Sequence, residues 1–225
     1  MHFHASYDDI TLDIPGDKGI YIPAEDSFLL LDLLKDFIRA NIAQIQDCAL
    51  PVLDIGAGCG IATLYLAKFF TCVLTVDINP HAVAFTWKEV CRRGMQRRVN
   101  PVTASLLDAF YDHAGSQHRY FLACFNPPYL PPEDYREPVI SGDDTRAFYL
   151  DKALYAPGGG KDTLEKFLRA MKPIIIPGGH VFFIKSSLSG IDDTAKWVSD
   201  LGFIIEKSAK VHMFFEDIEA YHVIA

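Results

Sequence analysis

A chain of 225 residues with 50% apolar and 22% charged residues can bury one large core, and this composition excludes disordered and fibrous classes. A net charge of −8 argues against binding nucleic acid through a broad basic face. Cys48, Cys59, Cys72, Cys91 and Cys124 are odd in number and lack C-x-x-C spacing, so reduced, mostly buried thiols in a cytoplasmic protein are expected. Residues 1–20 are polar and turn-rich apart from Ile10 to Ile14, and read as an amino-terminal extension. His2 and His4 stand one residue apart at a terminus expected to fray, and no metal site is assigned there. No window approaches about 18 uninterrupted apolar residues, so no membrane span is expected.

From residue 21 onward the chain reads as one domain. Tyr21-Ile22-Pro23-Ala24-Glu25-Asp26-Ser27 leads into Leu30, Leu33, Leu34, Phe37 and Ile38 at helical spacing, with acids and a hydroxyl at the helix start. Ser27 is either a helix cap or a ligand-binding hydroxyl. Val52 to Ile55 then reads as a strand entering Asp54-Ile55-Gly56-Ala57-Gly58-Cys59-Gly60, with a helix marked by Ile61, Leu64 and Tyr65. Glycines at alternate positions let a ligand approach the backbone, and the helix start that follows favours a negative group. A dinucleotide fingerprint beginning at Gly56 requires glycine at 61, where this chain has Ile61, which weakens a dehydrogenase reading.

Cys72 to Val76 is a second strand, ending at Asp77, placed about 20 residues past the glycine turn where an acid reaches ribose hydroxyls in doubly wound folds. Asn79 caps and Pro80 opens a helix that closes at Arg92-Arg93-Gly94. The local cations Lys88, Arg92, Arg93, Arg97 and Arg98 lie mostly at the end of that helix, where they complement its dipole, although contact with RNA is an alternative. Val99 to Val102 and Tyr120 to Phe125 are further strands, and strands alternating with helices imply a mainly parallel sheet. Residues 130 to 160 form a long connection expected to act as a lid or recognition loop. A helix over Asp162 to Met171, a strand over His180 to Lys185, a helix over Asp192 to Ser199 and a closing antiparallel pair, Phe203 to Lys207 with Tyr221 to Ile224, complete the chain.

The chemistry concentrates at Asn126-Pro127-Pro128-Tyr129. Two prolines end the strand Tyr120 to Phe125 abruptly, at the edge of the sheet where ligands bind in open α/β folds. An asparagine oxygen beside a fixed backbone carbonyl presents two acceptors to a planar NH2 group, and a neighbouring ring can cover its face. Such a receptor suits an amide or an exocyclic amine; a proline-rich strand exit is the structural alternative.

Four motifs in order, Tyr21-x-Pro23-Ala24-Glu25-Asp26-Ser27 through Asp32, Leu53-Asp54-Ile55-Gly56-x-Gly58-x-Gly60, Asp77-Ile78-Asn79-Pro80 and Asn126-Pro127-Pro128-Tyr129, resemble class I S-adenosylmethionine-dependent methyltransferases. Within that class the resemblance is to HemK-like release-factor glutamine methyltransferases of eukaryotic and archaeal type. It implies a Rossmann-like, seven-stranded α/β sheet, mainly parallel with an antiparallel closing strand, in residues 21–225. It also implies S-adenosylmethionine as cofactor, bound by Ser27, Asp54, Gly56, Gly58, Asp77 and Asn126, and catalysis by Asn126, Pro127 and Tyr129 without a metal. The adenine-contacting acid of relatives falls on Ser105, a departure that leaves Ser105 or Asp108 to make that contact, or leaves adenine recognition looser than in the family. The implied substrate is a glutamine in a class-one release factor, and the implied partner a small zinc-binding activator subunit. The alternatives are an RNA or DNA amino-group methyltransferase, acting on adenine N6 or guanine N2, and a non-catalytic scaffold that binds the cofactor.

Overall fold

The computed structural model describes residues 1–106, 120–131, 145–213 and 216–225. Its centre is a strand, β3 (Val52–Ile55), in which every residue is buried. A run that is apolar but for Asp54 and covered on both faces is the pattern of a central parallel strand. From β3 the chain steps outward through β4 (Val73–Asp77) to β5 (Val99–Thr103) at one edge. It then returns to the other side of β3 with β6 (Tyr120–Phe125), followed by β7 (Ile175–Ser186), β8 (Ile204–Met213) and β9 (Glu216–Ile224). The order is β5-β4-β3-β6-β7-β9-β8, and β9 alone runs against the rest, pairing antiparallel with β7 and with β8. The reversal of direction between β4 and β6 opens a crevice at the carboxyl end of β3, where doubly wound sheets bind ligands.

Helices cover both faces. α1 (Glu25–Ala40) buries Leu30, Leu31, Leu33, Leu34, Phe37 and Ile38 in one core, shared with α3 (Ile61–Ala67) and α4 (Pro80–Arg92). A short α2 (Ile42–Gln46) follows α1. On the opposite face α6 (Lys161–Met171) buries Leu164, Phe167, Leu168 and Met171, and α7 (Thr194–Asp200) adds Val198. α4 begins and ends as its residues dictate: the Asn79 side chain accepts from the His81 N–H, Pro80 opens the helix, and Gly94 follows at φ +70°. Of the five cysteines only Cys59 and Cys124 are buried, so the expectation of mostly buried thiols does not hold.

Three elements depart from the expectations above. Residues 2–15, read as turn-rich, form an antiparallel hairpin of β1 (His2–Tyr7) and β2 (Ile10–Pro15). Its inward face, Ala5, Ile10, Leu12 and Ile14, joins the α1–α3–α4 core. Salt bridges from Lys35 to Asp8 and from Lys68 to Asp9, with Arg93 Nη2 donating to the Thr11 carbonyl at 2.8 Å, fasten it to the body. Arg92 and Arg93 also pair with Glu89, and Arg98 donates to the Ala67 carbonyl at 3.0 Å, so these cations serve the fold. The long connection contains a helix, α5 (Thr145–Leu154). His2 and His4 both face Asp13 across the hairpin, at 2.9 and 3.5 Å. Among the described residues, no helix is long and apolar enough to cross a membrane.

Candidate active site

The carboxyl ends of β3, β4 and β6 border a cavity of ≈ 360 Å³. Asp54, the penultimate residue of β3, is buried and accepts from the Thr63 hydroxyl and from Cys124 Sγ at 3.4 Å. Burial outweighs these donors and pushes its pKa up to about 6. The loop beyond it is built on left-handed glycines, with Gly56 at φ +67°, Gly58 at +53° and Gly60 at +77°. A Cβ at Gly60 would sit 2.5 Å from Thr86 Oγ1, so α3 and α4 approach here more closely than any other residue allows. At Gly58 the nearest neighbour to such a Cβ is Tyr21 Cβ at 3.5 Å, and this position lines the cavity.

Asp77 ends β4 and ties the loop to the next helix. Its Oδ2 accepts from the Gly58 N–H at 2.7 Å and its Oδ1 from the Asn79 N–H at 2.8 Å. It is 9% exposed, and burial raises its pKa despite both backbone donors. A carboxylate oxygen can accept more than one hydrogen bond, so each retains capacity toward the cavity. Ser105 lines the cavity from just beyond β5 and is exposed, whereas Asp108 lies outside the described residues.

At the end of β6, Asn126, Pro127, Pro128 and Tyr129 all line the cavity. Asn126 Nδ2 donates to Asp26 Oδ2 at 3.0 Å and to Ser27 Oγ at 3.3 Å. Its Oδ1 is buried and has no hydrogen-bond partner among the described residues. A buried acceptor left unpaired costs about 1–3 kcal/mol, a cost expected where a ligand supplies the donor. Tyr129 is anchored as well as packed, since its hydroxyl donates to Asp26 Oδ2 at 3.0 Å. Gly160, at φ +87°, lies so close to the motif that a Cβ would stand 2.7 Å from the Pro128 carbonyl oxygen. That approach accounts for Gly160, while Gly159, at φ +66°, is required by the Leu188 carbonyl oxygen 2.5 Å from where its Cβ would stand; both belong to the short 3-10 turn Pro157–Gly160.

Ser27 belongs to this group and is not a helix cap. Ala24 holds the cap position of α1 with no side-chain bond, while the Ser27 hydroxyl donates to Asp26 Oδ1 at 3.1 Å and accepts from Asn126. Sequence reasoning missed Asp26 itself, which is 2% exposed and also accepts from the Tyr21 hydroxyl at 2.8 Å and from the Ser27 N–H at 2.5 Å. Burial foremost, then the Asp26 charge, push both Tyr21 and Tyr129 well above the ordinary phenol range, so both remain hydroxyl donors. The sequence signal for Asp26 was its place in a charged helix start, and that signal is shared by any dipole-complementing acid. α5 closes the cavity from outside, with Tyr149 and Lys152 lining it and the Arg146 carbonyl resting on Gly19.

No protein-family model matches the chain. Among characterised sequences it is 31% identical over 202 residues, 88% of each chain, to a Methanocaldococcus jannaschii protein provisionally named a protein N5-glutamine methyltransferase. It is 29% identical to methyltransferase HEMK2 of Mus musculus over 74% of this chain and 72% of that one. The eRF1 methyltransferase catalytic subunit mtq2 of Schizosaccharomyces pombe matches at 22% over 86% of this chain and 84% of that one. Among solved structures, the E. cuniculi Mtq2–Trm112 complex matches with TM-score 0.55 and 23% identity, covering 92% of this chain and 97% of the other. An M. jannaschii tRNA m1G37 methyltransferase matches with TM-score 0.63 and 14% identity over 99% of this chain and 54% of that one. These structural likenesses carry the class I methyltransferase fold, seven strands with the antiparallel strand near one edge. With the identity and coverage shared with the archaeal relative, the chain belongs to the protein N5-glutamine methyltransferases.

Proposed function

We propose that the protein transfers a methyl group from S-adenosylmethionine to the side-chain amide nitrogen of a glutamine in a class-one release factor. The observation that carries this reading is the buried Oδ1 of Asn126, unpaired at the mouth of a cavity beside Pro127. An amide nitrogen is a poor nucleophile because its lone pair is delocalised. Asn126 Oδ1 and the Pro127 carbonyl accept its two N–H bonds and turn the lone pair toward the methyl donor, while Tyr129 walls the amide plane. Orientation and electrostatic positioning of this kind are each worth several kcal/mol.

The other side of the cavity fits the cofactor. Asp77 retains acceptor capacity for ribose hydroxyls, Gly58 leaves the backbone open, Gly56 lets the loop pass close to the Phe125 ring, and Ser27, Asp54 and Ser105 line the remainder. When bound, S-adenosylmethionine would supply a methyl group activated by its sulfonium charge and leave as S-adenosylhomocysteine, while the methylated amide nitrogen gives up one of its two N–H protons to water. Asn126 also borders the cofactor side, so one residue meets both ligands. Mtq2 is named as acting on eRF1 and was solved with Trm112, and by that likeness a small activator subunit, zinc-binding in the family resembled, assists here. A base substrate is less favoured, because Arg92, Arg93 and Arg98 are engaged within the fold. A cytoplasmic setting accompanies a release-factor substrate.

Methyl-labelled cofactor is to be supplied with, in turn, release factor, tRNA, rRNA and DNA, each with and without a Trm112-type subunit. Label on the release factor, removed by changing the acceptor glutamine to alanine, is the expected result. Label on a nucleic acid alone would overturn the substrate assignment, and no label on any of the four would overturn the acceptor class.

A further inference from the structure

We infer that Asp26 is a positioning residue that sets which end of the Asn126 amide faces the acceptor. A carboxamide can turn end for end about its last torsion with little intrinsic preference, and its two ends have opposite hydrogen-bonding character. An amide oxygen facing the cavity accepts from a substrate NH2; an amide NH2 facing the cavity meets a substrate NH2 donor to donor. The residue that decides between these states is one that accepts only. Asp26 is such a residue. Its Oδ2 lies 3.0 Å from Asn126 Nδ2, and turning the amide would bring an oxygen against the carboxylate.

Asp26 is itself held by the groups around it. Tyr21 and Tyr129 donate to Oδ2 from the flanks at 2.8 and 3.0 Å, and the N–H and hydroxyl of Ser27 donate to Oδ1 at 2.5 and 3.1 Å. Donors from two segments of the chain, 21–27 and 126–129, therefore converge on one buried carboxylate. The same carboxylate that anchors the ring walling the acceptor also turns Oδ1 of Asn126 away, where among the described residues it has no hydrogen-bond partner. Its role at the acceptor rests on the amide-methylation reading above, whereas the amide orientation it imposes does not depend on any acceptor.

The decisive variant is Asp26→Asn, which keeps shape and volume but places an NH2 group where only acceptors stand. Facing Asn126, that NH2 favours the turned amide. Steady-state methylation of a release factor should show kcat reduced at least about tenfold with KM for the cofactor within about threefold, a barrier change of about 1.4 kcal/mol or more. In an Asn126→Ala background the same substitution should add less than about a twofold loss, because a residue acting through Asn126 has nothing left to orient. Equal losses in both backgrounds, or wild-type kcat in Asp26→Asn, would overturn the proposal.

A second readout needs neither acceptor nor cofactor. The side-chain amide protons of Asn126, identified by their absence in Asn126→Ala, should be shifted downfield and slow to exchange in the wild-type protein, and both properties should be lost in Asp26→Asn. Free exchange of these protons in the wild-type protein would sink the proposal, even if the variant does not fold. Protected amide protons in a protein that methylates no glutamine would instead refute the substrate reading and leave the orientation intact.

Discussion

Replacing Asp77 by alanine tests the cofactor side of the site, and its consequences divide into a stability part and an affinity part. The carboxylate satisfies two backbone donors, Gly58 N–H at 2.7 Å and Asn79 N–H at 2.8 Å. Leaving both unpaired costs roughly 2–6 kcal/mol at about 1–3 kcal/mol each. Two effects oppose this loss: burial already penalises the charge, as the raised pKa of Asp77 records, and water from the adjoining cavity can reach the freed N–H groups. The low end of the range is therefore expected, about 2 kcal/mol net, which lowers the urea midpoint by about 1 M. For the cofactor, the lost acceptors for two hydroxyls should cost at least about 3 kcal/mol, more than a hundredfold in Kd. Urea titration of the free protein and calorimetry with S-adenosylmethionine measure the two parts separately. An Asp77→Ala protein that binds cofactor within about threefold of wild type would refute the ribose assignment whatever its stability. One with an unchanged midpoint would refute the claim that Asp77 braces the glycine loop.

Asp54→Asn should change how stability depends on pH. The folded-state pKa of Asp54 lies near 6, above its ordinary value of 3.8, so its contribution favours the fold below about pH 4 and is lost as pH rises through about 6. Wild-type stability relative to the variant should thus fall by up to about 3 kcal/mol between pH 4 and pH 7, and a flat difference in denaturant titrations would contradict it. Gly60→Ala should lower the melting temperature by about 4–8 °C, since it combines a left-handed φ with a Cβ 2.5 Å from Thr86 Oγ1. Ser105→Ala removes an exposed hydroxyl at the cavity edge and should weaken cofactor binding by about 0.5–1.5 kcal/mol, with an unchanged Kd moving the adenine contact elsewhere. Asn126→Ala should slow methyl transfer at least about tenfold while leaving cofactor affinity nearly intact, as measured by single-turnover rates and calorimetry.

Much of this molecule is legible from local sequence. Tyr120–Phe125 is apolar on both faces and Val52–Ile55 is so but for Asp54, the pattern of central parallel strands, and both are buried throughout. Asn79, Pro80 and Gly94 bound α4 through capping chemistry that acts within a few residues. The glycine loop, Asp77 and Asn126 stand out from their own neighbourhood because their motifs are short and contiguous, whereas Asp54 is singled out only through the family resemblance; all of them line the cavity. The amino-terminal hairpin was not, although Ile10, Leu12 and Ile14 alternate as a strand should. Its other strand alternates as well, exposing His2, His4 and Ser6 and turning Phe3, Ala5 and Tyr7 toward the core, but so short a run among polar residues stays ambiguous until its partner is found, because a strand is defined by its partner as much as by itself. α5 was hidden for a related reason, because Phe148, Tyr149 and Leu150 are consecutive and make no helical stripe.

Asp26 marks the boundary between the two kinds of information. In sequence it is an acid in the first turn of a helix, indistinguishable from Glu25 beside it. In the fold Glu25 stays at the first position of α1, while Asp26 turns inward and meets Asn126, 100 residues away, and Tyr129, 103 residues away. Propensity, capping and hydrophobic period act over a few residues and decide which elements form. Which side chains meet at their ends depends on the strand order that sets β6 beside β3 and on the packing of α1, and those arise from burial summed over the whole chain.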